Sequence, residues 1–204
     1  MRSLLGVIIG ALLVASPVYA QRAALTPFGG WKWGGSASTR QGTLNTAASE
    51  HFGLELSVRM RRDASAFLMV DYQPTVLRLK SGGTNPELFD LDAWYFMAGG
   101  DIEMLDRGQV IPFALGALGV AWFDPAGDRS GETAFAGMFG GGVRVPLGQS
   151  GRVDLRLEGR MYLTIPWGGA GLYCGTGGCY SSVGGTIGPV QGSVISGLRF
   201  ALGS

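Results

Sequence analysis

Residues 152–163 read RVDLRLEGRMYL. Val153, Leu155, Leu157, Met161 and Leu163 alternate with Arg152, Asp154, Arg156, Glu158, Arg160 and Tyr162. Successive side chains of a β-strand leave opposite faces, so this rhythm predicts one oily stripe and one charged stripe. A soluble barrel would turn the charges to water and fill its middle with the leucines. A membrane barrel does the reverse, with leucines against lipid and charges folded inward. Which stripe faces inward therefore sets both the compartment and the range of functions open to the chain.

The amino terminus helps to choose. MRSLLGVIIGALLVASPVYA (1–20) has a basic start at Arg2, an apolar stretch from Leu4 to Val14 and a small-residue cleavage pattern at Val18-Tyr19-Ala20. This is the pattern of a secretory signal peptide, and the apolar stretch is short for an anchor helix. Residues 21–204 are then the exported chain. No later run approaches the roughly 20 apolar residues of a spanning helix, so any membrane crossing falls to strands. The 204-residue chain has no linker-like composition break, and one domain is expected. It carries 16 Lys and Arg against 15 Asp and Glu, and Arg2 leaves with the leader, so the exported part is near neutral. Nothing in that balance suits a nucleic-acid partner. The 36 glycines are more than a helical protein would tolerate.

Eight alternating segments follow, at about 27–36, 47–60, 66–80, 91–105, 110–123, 133–147, 152–166 and 190–202. In the second, Phe52, Leu54, Leu56, Val58 and Met60 oppose His51, Glu55, Ser57 and Arg59. The third slips near Pro74, where a bulge or the end of regular pairing is expected. The fifth, VIPFALGALGVAWF, is apolar on both faces and does not declare its lipid side. Connections alternate between tight turns (RRDAS, DRGQ, GQSG) and longer loops (STRQGTLNTA, SGGTNPELFD, PAGDRSGET and 167–189). An even strand number, with short turns at one end and long loops at the other, matches the way outer-membrane barrels sit. The expected fold is an all-β, eight-stranded antiparallel up-and-down transmembrane barrel in the outer membrane. Trp31, Trp33, Trp94, Phe96, Trp122 and Trp167 near strand ends are its candidate aromatic girdle.

With leucines outward, the interior receives Glu55, Arg59, Asp71, Asp101, Glu103, Arg144, Asp154, Arg156, Glu158, Arg160 and Arg199. Eight strands enclose little more than their own side chains, so these groups are expected to pair as a plug and not to line a pore. Cys174 and Cys179, in LYCGTGGCYSS, are expected to form a disulfide in an oxidising compartment; two thiols alone fall short of a zinc site. No cofactor or metal is implied.

PFGGWKWGG, WYFMAGGDIEM followed by VIPFALGALGVAWF, GGGVRVPL with RVDLRLEGRMY, and SVISGLRFAL together resemble the small eight-stranded outer-membrane barrels of the OmpA/OmpX-like superfamily. The resemblance spans essentially all of residues 21–204 and is one of rhythm, without a catalytic motif. It implies insertion by the barrel-assembly machinery and contact with outer-membrane lipid and lipopolysaccharide. One departure is that Phe200 is followed by Ala-Leu-Gly-Ser, which displaces the aromatic end such barrels carry. Members of the superfamily include tethers, adhesins and lipid-modifying enzymes, so the resemblance selects no activity.

The expected role is structural or surface-interacting and non-enzymatic, with the 167–189 loop as a candidate surface for an extracellular partner. Two alternatives stand beside it. One is a lipid A acyltransferase or deacylase using His51, expected near the outer rim beside Ser49 and Glu50, although the His-x-Ser arrangement of the deacylases is absent. The other is a soluble periplasmic lipocalin-like barrel that binds a hydrophobic ligand.

Overall fold

The computed structural model describes residues 23–39, 42–80, 87–104, 110–127, 131–148, 152–166, 172–175, 178–181 and 190–202. The strands are β1 (Ala23–Gly34), β2 (Ser36–Thr39), β3 (Gly42–Thr46), β4 (Ser49–Arg59), β5 (Ala64–Lys80), β6 (Glu87–Glu103), β7 (Ile111–Pro125), β8 (Glu132–Leu147), β9 (Val153–Pro166), β10 (Leu172–Gly175), β11 (Gly178–Ser181) and β12 (Val190–Leu202). Eight of them are staves: β1, β4, β5, β6, β7, β8, β9 and β12. Each pairs antiparallel with its neighbours in sequence, and β1 pairs with β12, so the sheet closes on itself. Closure leaves no unpaired edge around the barrel wall.

The two stripes of β9 are resolved at once. Arg156, Glu158 and Arg160 are 3%, 4% and 2% exposed, whereas Leu157 and Met161 are 44% and 43% exposed. The same inversion runs around the wall. Phe52, Leu54, Leu68, Leu118, Phe139, Val194 and Leu198 stand on the outside, and the ionic side chains are inside. Such a surface would be unstable in water and is at home against lipid tails. The inward leucines required of a lipocalin-like barrel are missing from β4 and β9.

Two expectations change, and one open assignment is settled. The alternation of β5 does not slip at Pro74: Phe67, Met69, Asp71, Gln73, Thr75 and Leu77 all face inward, and the register shift lies at Leu77/Arg78. The ladder with β4 ends at Phe52↔Tyr72, and the ladder with β3 begins at Thr46↔Leu77. Pro74 falls in the gap between them, where its missing N–H breaks no pairing on that side. The segment 38–47, expected as loop, is mostly the β2–β3 hairpin, which continues the wall above β4. Gly34 and Gly35, with φ of 84° and 100°, turn the chain off β1 into it. Finally, β7 acquires an orientation, with Phe113, Leu115, Ala117 and Ala121 inside and Leu118, Val120 and Trp122 outside.

Candidate functional site: the ionic interior

Nearest the chain ends, Glu103 accepts from Arg59 at 2.8 Å and from Arg144, and Asp154 accepts from Arg199 at 2.9 Å with Arg144 3.7 Å away. The next layer is fully enclosed. Arg156 reaches Glu55 at 2.6 Å and Glu158 at 2.7 Å, while Arg160 reaches Glu158 at 2.7 Å and Glu55 at 3.4 Å. Asp101 lies 3.9 Å from Arg156. Two guanidiniums thus share two glutamates in a closed ring, which their planar forks allow. Aromatic faces cover them. Arg156 stacks 4.6 Å from the Phe113 ring and Arg160 4.7 Å from that of Phe28. Phe28 fits because β4 carries Gly53 opposite it; a Cβ there would run into the Phe28 ring.

Above this lies a cluster that sequence reading assembled only in part. Lys32 Nζ donates to Asp71 Oδ2 at 2.8 Å, and His51 Nδ1 donates to Asp71 Oδ1 at the same distance. The ammonium sits 4.1 Å from each of the Tyr95 and Tyr162 rings. A cation desolvated between two π faces and a carboxylate is held far more firmly than one at a surface. Tyr95 donates to Gln191 at 2.6 Å, and Gln73 donates to Ser49 at 3.0 Å, which carries the polar interior towards the β2–β3 end.

The expected lumen residues are therefore brought together, in three layers. The reading from periodicity had named six carboxylates and five arginines; Lys32 is the sixth cation. Its signal was present in Trp31-Lys32-Trp33. Two tryptophans, 50% and 44% exposed, flank a lysine with no exposure. Tyr95, between Trp94 and Phe96, follows the same rule. The opposite wall escaped notice, because Phe67, Met69, Met97, Phe113, Leu115 and Met138 form an apolar cluster that fills the remainder of the lumen.

His51 is not at the rim. It faces inward with no exposure, edge-on to Phe28, and its Asp71 partner is shared with Lys32. Glu50 points outward, and Ser49 accepts from Gln73. Among the described residues His51 Nε2 has no hydrogen-bond partner, so no hydroxyl is placed for it to activate. No group of His, Cys, Asp and Glu that could hold a metal occurs among the described residues.

Of the girdle residues, Trp31, Trp33, Phe96 and Trp122 are exposed outward. Trp94 stacks on Tyr72 at 4.5 Å and on Phe96 at 6.5 Å. The four tryptophans and Tyr72 lie towards the end away from the chain termini. Trp167 lies outside the described residues, as does most of 167–189. Within that segment β10 and β11 form a hairpin that sets Cys174 directly opposite Cys179.

No protein-family model matches the chain, and no curated protein does. Solved structures do. The chain superposes on Neisserial surface protein A with a TM-score of 0.54 at 16% identity, over 89% of this chain and 97% of that one. AlkL, an outer membrane protein determined in lipid bilayers, gives 0.53 at 14% identity over 94% and 95%, and OprG from Pseudomonas aeruginosa gives 0.51 at 12% over 90% and 98%. The fold is that of the small outer-membrane barrels. The likeness spans nearly the whole of each chain, so the barrel is the entire shared architecture.

Proposed function

We propose that this protein is an integral outer-membrane barrel whose lumen is closed, which carries no catalytic site and which serves as a rigid scaffold at the cell surface. The observation that carries the reading is the inversion of its two faces. A continuous apolar exterior is stable only in lipid, and a neutralised interior packed with arginine, glutamate and aromatic side chains leaves the lumen to the protein. Residues 1–20 act as the leader, and the barrel-assembly machinery inserts the chain. The aromatic end meets the outer leaflet and its lipopolysaccharide. The direct opposition of Cys174 and Cys179 suits a disulfide that ties the 167–189 loop, the surface offered to an extracellular partner.

The precursor expressed in a Gram-negative host and fractionated tests this directly. Recovery in the outer membrane, with boiled and unboiled samples migrating differently, is the expected result; recovery as a soluble periplasmic species overturns it. Planar bilayers holding the purified barrel are expected to show no sustained conductance. A steady open channel would overturn the closed lumen while leaving the membrane reading intact.

A further inference from the structure

The outer wall is not smooth. Across β4 to β7 the lipid face carries a concavity of about 680 Å³, walled by Leu54, Leu56, Leu68, Val70, Leu118 and Val120. Ala98 and Gly119, with the flanks of Met69 and Met97, form its floor. Its volume is in the range of ligand pockets, on the order of 300–1,000 Å³. Its lining is apolar throughout and, on the reading above, it opens into the hydrocarbon layer. Below it the outward row Ala66, Gly100 and Gly116, in register across β5, β6 and β7, extends the depression towards the β4–β5 turn.

We infer that this groove binds one acyl chain of a phospholipid of the inner leaflet, whose anionic phosphate headgroup rests on Arg61 and Arg62. This rests on the membrane reading proposed above. Charge distinguishes the two ends of the groove. The turn beneath it carries Arg61 and Arg62, both exposed and with no ion pair among the described residues, beside the single carboxylate of Asp63. The neighbouring Arg59 is already committed to Glu103. At the other end of the same face, Asp92 and Asp124 stand directly opposite one another across β6 and β7, and Asp92 accepts from Tyr72. A phosphate is attracted below and repelled above.

Length agrees with this polarity. Five residues separate Arg61 from Leu56, about 17 Å of strand at about 3.3 Å per residue. A tilt of roughly 40° leaves about 13 Å along the membrane normal. That is close to the roughly 15 Å depth of one leaflet, half of a hydrocarbon core of about 30 Å. A chain anchored on the turn therefore reaches the groove without leaving its own leaflet.

The test uses the exported chain in phosphatidylcholine nanodiscs doped with phosphatidylglycerol that bears a photoactivatable diazirine in its acyl chain. Labelled peptides are mapped by mass spectrometry. Labelling is expected to concentrate on residues 64–70, 96–102 and 114–120, about fivefold above the far wall at 153–161 and 194–200, as one arginine's attraction for an anionic headgroup would give. Replacing Arg61 and Arg62 together by Ser is expected to remove that excess. Ala98→Phe and Gly116→Leu, which obstruct the groove and its approach, are expected to do the same. A Cβ at Gly116 meets nothing closer than the Met138 carbonyl at 3.8 Å, so the first carbon of the new side chain is accommodated without a clash. Boiled and unboiled gels verify each variant, and the turn variant alone suffices if the groove variants misfold. Uniform labelling around the barrel overturns the inference and leaves the membrane reading standing. Labelling that is enriched but indifferent to Arg61 and Arg62 overturns the placing of the headgroup on the turn. A groove left unlabelled in a barrel that runs as a dimer on size-exclusion chromatography shows that a second barrel covers it and overturns the inference likewise. A chain that never enters the nanodisc fails both readings.

Discussion

Strands β9 and β7 flank β8 in the same wall and fill the lumen by opposite means. From β9 come Asp154, Arg156, Glu158 and Arg160, four successive inward charges; from β7 come Phe113, Leu115, Ala117 and Ala121, with no charge at all. Neither wall is complete alone. The guanidinium of Arg156 donates to Glu55, lies within ion-pair distance of Glu158 and has one face covered by Phe113. Lys32, on the ionic side, lies against Tyr95 of β6. The aromatic wall displaces water from the ions, and the ions give the aromatic wall something to pack against. This interior is thus a two-sided core in which a charged surface is solvated by its own counterions and by π faces.

The comparison can be broken at its ionic wall most severely. Glu55→Ala leaves Arg156 and Arg160 sharing Glu158, and loss of one partner from a buried pair costs about 3–5 kcal/mol. Urea unfolding in phospholipid vesicles is expected to show a loss of that size, and a value below about 1 kcal/mol would mean that water already solvates the layer. Leu157→Arg asks the complementary question of the outer stripe. A charge on the lipid face near the midplane costs roughly 2–4 kcal/mol. A soluble barrel would accept the same exchange at no measurable cost in the same unfolding experiment.

Smaller changes sharpen the contact between the walls. Gly53→Ala drives a methyl group into the Phe28 ring that covers Arg160, and overpacking of this kind costs about 1–3 kcal/mol. Adding Phe28→Leu should recover the part of that loss that comes from the ring, while the approach of the new methyl group to the Val70 carbonyl remains. The smallest effect belongs to the pair removed whole. Lys32→Met with Asp71→Leu, made in a His51→Leu background so that no imidazole N–H is stranded, replaces a buried ion pair by apolar volume, and its stability should fall within about 1 kcal/mol of that background, whereas either substitution alone costs several times more. A double-mutant cycle reads the coupling between them, and additive losses would show that the two charges do not depend on each other.

The same contrast explains what could be read from the chain and what could not. In β9 and β4 the two faces differ in chemistry, so alternation alone assigned them, and Glu55, Arg156, Glu158 and Arg160 were all placed in the interior by it. In β7 both faces are apolar, and period-two reasoning has no difference to detect. The closing pairing of β1 with β12 followed from strand count and turn lengths; the β2–β3 hairpin did not, because its Ser, Thr and Gly residues carry no stripe. Lys32 lies between two tryptophans, and a single charge in an aromatic segment makes no stripe by which its side can be assigned. His51 shares the phase of Glu55 and Ser57, which are inward, and its nearness to a loop gave its height alone, not its partners. Position along a strand gives height, and only parity gives the side.

Strands β5 and β6, at 17 residues each, are the longest of the barrel. They stay paired from Gln73↔Ala93 up to Arg78↔Glu87, past the level of Tyr72 and Trp94, and β3 and β2 extend that pairing sideways. The eight residues from Gln73 to Lys80 add roughly 26 Å of strand at about 3.3 Å per residue. Among the described residues the mouth of the barrel is accordingly not level: a four-stranded parapet stands on one quadrant of its rim. On the orientation proposed above, a macromolecule approaching that quadrant touches hydrogen-bonded sheet before it touches the opening, and the orientation in which it can dock is set by that wall.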